Sequence, residues 1–199
     1  MLSTTSLSYT KTAKILHWLI ALAIIFMLAL GWTFGFFHGE TKFFLFQLHK
    51  SIGITILLLS FVRLAWRLMH TAPSLPASMP LWEQRAAHIG HVLLYILMIG
   101  MPLSGWIMVS TSLHNNIPTI LYGILPWPNV PVLSTMENKT EISHFMGGVH
   151  GYAAYVLAAL IVGHAGAALK HHFIARDDIL VRMAPSSCTR FLNYLRGSK

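Results

Sequence analysis

HGYAAYVLAALIVGHAGAALK, residues 150–170, carries two histidines fourteen positions apart in a run of apolar and small side chains. At 3.6 residues per turn and 1.5 Å per residue, that interval is close to four helical turns and about 21 Å. His150 and His164 therefore share one stripe of a helix, at two depths of a hydrocarbon layer about 30 Å thick. Ionisable side chains at such depths are costly and mark functional positions.

The rest of the chain extends the apolar pattern. Of its 199 residues, 55% are hydrophobic and 10% charged, with a mean hydropathy of +0.61. An ordinary soluble domain carries about 25% charged residues. Four stretches are long enough to span a bilayer, at about 13–36, 47–68, 86–110 and 146–170. The expected fold is all-α, an integral-membrane four-helix bundle forming a single domain over residues 1–199. Pro102 falls within the third span, where neighbouring groups must take up the carbonyl it frees. The apolar run after Lys11 and Lys14 continues for about 20 residues, longer than the roughly 7–15 of a signal-peptide core, and reads as a retained span. Cys188 is the single cysteine, which leaves no internal disulfide, iron–sulfur cluster or c-type haem attachment to consider. Residues 36–46 read as a short interfacial element. The long 111–145 segment contains Pro126, Pro128 and Pro131, and with Trp127 it reads as lying along the membrane surface, where Trp is enriched.

Charge placement sets the orientation. Lys11, Lys14, Arg63, Arg67, Arg85, Lys170, Arg176, Arg182, Arg190, Arg196 and Lys199 fall on one side of a four-span layout. Lys42, Lys50 and Lys139 fall on the other, beside Glu40, Glu137 and Glu141. The positive-inside rule then places both termini in the cytoplasm. The net charge of +8 is a topology signal and a contact with anionic lipid headgroups rather than a nucleic-acid surface.

His17 lies at the cytoplasmic start of the first span and His49 at the outer start of the second. Antiparallel helices bring His17 to the depth of His164, and His49 to the depth of His150. Two matched pairs of neutral imidazoles in a bundle core suit two metal centres, and two stacked haem irons best of all. A porphyrin needs small side chains beside its ligands. Gly147, Gly148 and Gly151 surround His150, Gly163 and Gly166 flank His164, and Gly53 is one turn from His49. The competing use of these glycines is close helix–helix contact. Two axial histidines leave no open position on iron, so the centre suits electron transfer.

The other histidines carry blander expectations. His88 and His91 read as hydrogen-bond partners of a haem propionate or a neighbouring helix, and His171 and His172 as interfacial. His38, His70, His114 and His144 are expected in loops or at helix ends. Lys50, Arg63 and Arg67 adjoin the centres, where each can pair with a propionate or a reduced quinone, or anchor by snorkelling. Trp18, Trp66 and Trp106 read as interfacial or packing residues.

The stretches ILHW (15–18), LHKSIGI (48–54), VRLAWRL (62–68), AHIGHVLLY (87–95) and HGYAAYVLAALIVGHAGAALKHHF (150–173), followed by DDILVRM (177–183), together resemble the bacterial cytochrome b561 family. That resemblance covers nearly the whole chain. It implies a di-haem b-type cytochrome of the bacterial inner membrane, with an inner haem on His17 and His164 and an outer haem on His49 and His150. It also implies electron exchange between membrane quinone, ubiquinone in particular, and a periplasmic donor or acceptor. The most specific version is a superoxide:ubiquinone oxidoreductase. The proline-rich 111–145 segment is a departure from the family pattern at the surface where superoxide or a redox partner approaches. Two other uses of the same residues are a haem-free transporter of metal or protons, and a cytochrome subunit that anchors a larger redox complex.

Overall fold

The computed structural model describes residues 8–112 and 117–197, so His114 and Lys199 lie outside the described residues. Four helices are long and apolar enough to cross a membrane. They are α1 (Lys11–Thr33), α2 (Gly39–Met69), α3 (Leu81–Thr111) and α5 (Lys139–Lys170). Between α3 and α5 come an antiparallel hairpin of β1 (Thr119–Leu121) and β2 (Leu125–Trp127) and a one-turn helix, α4 (Pro131–Ser134). A π-helical turn, His171–Ala175, continues α5. Two short helices, α6 (Ile179–Met183) and α7 (Ser186–Leu195), follow it.

Three of the four helices begin well before the hydropathy pattern predicts, because residues outside the apolar runs extend α2, α3 and α5 at their N-terminal ends, whereas α1 ends at Thr33 and gives way to a 3-10 turn over Phe34–Phe36. Residues 39–46 are the first turns of α2 rather than a separate interfacial element. Gly39 turns the chain with φ 56°, and Glu40 in the first turn faces the positive end of the helix dipole. α3 likewise begins five residues early, at Leu81, and α5 seven residues early, at Lys139. His144 accordingly stands near the start of α5, at the helix end rather than in a loop. At the start of α1, Thr10 Oγ1 accepts the Ala13 N–H at 3.2 Å as an N-cap.

The closely packed helix neighbours are α1 with α2, α2 with α3, and α3 with α5. Ile20, Ile24, Ile56 and Leu157 form the small sealed core between them. Around the waist, large apolar side chains such as Leu22, Ile25, Leu58, Ile96 and Val162 are exposed, which is the surface a lipid-facing bundle presents.

The two ends of the bundle are built differently. At one end the N-terminal segment, the α2–α3 loop and the tail after α5 meet. Ser8 Oγ donates to Arg182 O (3.0 Å), Trp18 Nε1 to Met183 O (3.0 Å) and Trp66 Nε1 to Thr10 Oγ1 (2.9 Å). His171 and His172, expected at an interface, are buried here. His171 lies between Glu83 (3.2 Å) and Asp177 (2.6 Å), so burial is offset by charged partners. At the other end the hairpin is fastened to α2: Gln47 Nε2 donates to Pro118 O at 3.0 Å, and the Tyr122 N–H donates to Ser51 Oγ at 2.9 Å. Tyr122 and Gly123 both take positive φ (54° and 73°), as tight hairpin turns require. Tyr122 is held in that conformation by its hydroxyl, 2.6 Å from Thr55 Oγ1. Trp106 Nε1 donates to Pro128 O at 2.9 Å and ties the next segment to α3. These bonds give the three indoles packing roles, as the sequence pattern suggests.

Candidate metal centres

Across the bundle, His17 of α1 faces His164 of α5, and His49 of α2 faces His150 of α5. The ring centroids are 6.1 Å apart in both pairs, and the planes meet at 67° in both. The four histidines thus come together as two pairs, in the combination their depths predict. Two imidazole–metal bonds of about 2 Å each, plus the two half-rings, put ring centres about 6 Å apart. Each pair is therefore spaced for one metal ion between two nitrogens.

The fourteen-residue interval of α5 recurs on the other three helices. It separates His17 from Gly31 on α1, His49 from Arg63 on α2, and His91 from Gly105 on α3. The result is two levels. The level nearer the hairpin holds His49, His150, Gly31 and Gly105. The level nearer the termini holds His17, His164, His91 and Arg63.

At the hairpin level Gly105 makes room for the His150 ring, and Gly31 lies beside His49 at ordinary contact distance. A Cβ on Gly105 would stand 3.1 Å from His150 Cε1, and one on Gly31 would stand 3.8 Å from His49 Cε1. His150 is oriented from behind. Its Nδ1–H reaches Met101 O (3.1 Å), and Ser104 Oγ lies 3.0 Å from the same nitrogen. A ring nitrogen occupied in this way leaves Nε2 free as the ligand, the usual arrangement behind a metal-bound imidazole. His49 Nδ1 is buried without a hydrogen-bond partner. Between the two rings lies a cavity of about 320 Å³, lined by apolar side chains such as Met27, Leu28, Leu97 and Met98 together with Gly53 and Gly151.

At the level of the termini, His91 sits 5.7 Å, ring to ring, from His164. Arg63 Nη1 donates to Ala13 O at 3.3 Å, one turn before His17. The Arg63 guanidinium also lies 5.8 Å above the Tyr95 ring, one turn after His91. His164 is exposed on a side of α5 where a Cβ on Gly163 or Gly166 would meet nothing within 4 Å. Gly148 and Gly151 likewise face open space. These four glycines do not serve close helix contacts. They leave a flat face, as a planar cofactor beside the histidines needs. Of the five α5 glycines, Gly147 alone meets a neighbour, with Met108 Sδ 3.4 Å from its Cβ position.

Among the described residues, no group of three or more His, Cys, Asp or Glu side chains is arranged to hold a bare metal ion. A haem brings its own equatorial nitrogens and needs only the two axial imidazoles. The donor sets and the open glycine faces fit it. Gly31, Gly105, Ser104 and Met101 escaped the sequence reading. The interval of fourteen from His17 to Gly31 and from His91 to Gly105 was the signal that could have found the two glycines. Nothing comparable marks Ser104 or the Met101 carbonyl.

Comparison with known proteins identifies the family. The family described as prokaryotic cytochrome b561 matches residues 8–186. Cytochrome b561 homolog 2 of Escherichia coli (strain K12) is 33% identical over 191 residues, covering 92% of this chain and 94% of its own. Cytochrome b561 homolog 1 of the same organism is 30% identical over 179 residues, 89% of this chain and 97% of its own. A protein of Yersinia pestis named probable superoxide oxidase CybB is 28% identical over 171 residues, 85% and 92% of the two chains. The chain is a multi-pass helical membrane protein and belongs to the prokaryotic cytochrome b561 family, an electron-transport family that carries b-type haem.

Proposed function

We propose that the chain, as one domain over residues 1–199, carries electrons across the bacterial inner membrane through two bis-histidine b haems. His17 and His164 hold one and His49 and His150 the other. The single observation that carries this is the identity of the two pairs: equal centroid separation and equal interplanar angle, at two levels of one bundle. Each haem, when bound, supplies one-electron oxidation and reduction at an iron with no open position. The protein residues do the rest. Met101 O and Ser104 fix the tautomer and orientation of His150. The apolar lining of the hairpin-level cavity excludes water. Arg63 and His91 supply polar partners at the other level.

The charge asymmetry supports an orientation with both termini in the cytoplasm. The whole net charge of +8 belongs to the end that holds the termini, since Lys42, Lys50 and Lys139 are matched by Glu40, Glu137 and Glu141 at the other. The hairpin level then faces the periplasm. The reaction that best suits the site is electron exchange between membrane ubiquinone and a periplasmic donor or acceptor. The likeness to a probable superoxide oxidase supports superoxide as that donor, with Lys42, Lys50 and Lys139 as the cations available to steer a small anion.

A reduced-minus-oxidised spectrum of the purified protein, with haem quantified per chain, tests the reading. Two low-spin b haems per chain are expected. None, after expression with adequate haem supply, overturns it. Superoxide-dependent reduction of ubiquinone then tests the substrate assignment separately.

A further inference from the structure

The hairpin departs from the sequence pattern of the spans, and one of its groups has no partner. Trp127, the last residue of β2, lines the cavity between His49 and His150. Its indole Nε1 is sealed from solvent and has no hydrogen-bond acceptor. The neighbouring indole contrasts with it: Trp106, 5.7 Å away ring to ring, spends its N–H on Pro128 O. A buried N–H without an acceptor is destabilising, so an orphan beside a cavity points to an acceptor that belongs in the cavity. Lys50 lines the same cavity, one residue beyond His49. The lining is otherwise dominated by aliphatic, methionine and aromatic groups. An apolar disc bearing carboxylates on one edge matches such a space: the disc meets the apolar wall, and the carboxylates need donors at one side.

We infer that Trp127 Nε1–H and the Lys50 ammonium bind a propionate carboxylate of the hairpin-level haem, so that the hairpin is part of the cofactor site and not only a surface loop. The inference rests on the two-haem reading above. The hairpin's fastening to α2 through Gln47, Ser51 and Thr55 then holds the propionate donor in register with His49, which lies on the same helix. Removing a donor from a propionate leaves more unbalanced negative charge beside the iron, which disfavours the reduced state.

Potentiometric titration of the full-length protein tests this without any turnover assay. In Trp127→Phe, which keeps the ring and loses only the N–H, the hairpin-level haem is expected to shift to a more negative midpoint. Its reduction equilibrium should change several-fold, with the other haem unmoved and haem content still at two per chain. Lys50→Gln is expected to shift the same haem in the same direction. Trp82→Phe, at the opposite end of the bundle, serves as the control. Should Trp127→Phe fail to retain the hairpin-level haem, Lys50→Gln decides alone. Unchanged midpoints in a two-haem variant, or equal shifts of both haems, overturn the inference while leaving the two-haem reading intact. A wild-type protein without the haem held by His49 and His150 would instead sink that reading itself.

Discussion

At the hairpin end the facing histidines have Gly31 and Gly105 for neighbours. At the end that holds the termini, the positions fourteen residues from Gly31, Gly105 and His49 are His17, His91 and Arg63. The pairs of imidazoles are alike in spacing and angle, yet one lies in an apolar cavity capped by a hairpin and the other among polar side chains on a more open face of α5. On the proposed reading, the geometry of the pairs sets what is bound. The shell around it sets what each centre can exchange with. An apolar, capped centre suits a fixed potential, and one flanked by Arg63 and His91 suits contact with groups that take up or release protons.

Removing ligands should break the comparison most completely. Replacing His150 with Ala is expected to abolish the hairpin-level haem and keep the other, and His164→Ala to do the reverse, each halving the haem measured per chain. Full haem content in either variant would refute the pairing. The next largest effect should come from Gly105→Val. Its Cβ would crowd His150 at 3.1 Å and 3.3 Å, and overpacking of this kind costs about 1–3 kcal/mol. The hairpin-level haem should be lost or its spectrum altered, whereas Gly31→Ala, with 3.8 Å to spare, should be tolerated. Equal behaviour of the two glycine variants would remove the distinction.

Finer changes sharpen it. Ser104→Ala removes one of the two groups behind His150, and loss of such outer-shell partners commonly costs at least about tenfold in metal affinity. With Met101 O still in place, haem retention at the hairpin level should fall by no more than about that factor, as measured by competition with apomyoglobin. His91→Ala should leave two haems per chain and move only the midpoint of the centre near the termini, by potentiometry; a one-haem product would make His91 a ligand. Smallest of all, Trp106→Phe gives up its bond to Pro128 O and should lower stability by about 1 kcal/mol, read by thermal unfolding with haem content per chain unchanged.

Much of this was legible in the sequence because the relevant signals are periodic. Hydropathy marks the four spans, and the interval from His150 to His164 marks two depths. Alternating helix direction then selects His49 and His17 as partners. The helix ends were less legible, because Gly39–Phe46 and Lys139–Phe145 are polar or aromatic stretches that the hydrocarbon does not require to be helical. His171 and His172 were misjudged since their partners, Glu83 on α3, Asp177 beyond the π turn and Leu192 O on α7, are brought in by tertiary structure. The hairpin was hidden for a related reason. Three-residue strands flanked by prolines have no periodicity to read, and the turn is held by Ser51 and Thr55 from another helix.

The interval between His150 and His164 also has an electrical consequence. It is about 21 Å along the helix, some two-thirds of a hydrocarbon core about 30 Å thick. Moving one elementary charge through the full field is worth about 2.3 kcal/mol per 100 mV. An electron passing between the two levels would therefore feel about 1.5 kcal/mol for each 100 mV of membrane potential, roughly a tenfold change in where it resides. On the proposed two-haem reading, the helical repeat of α5 would make the division of charge between the two centres a gauge of the cell's energised state.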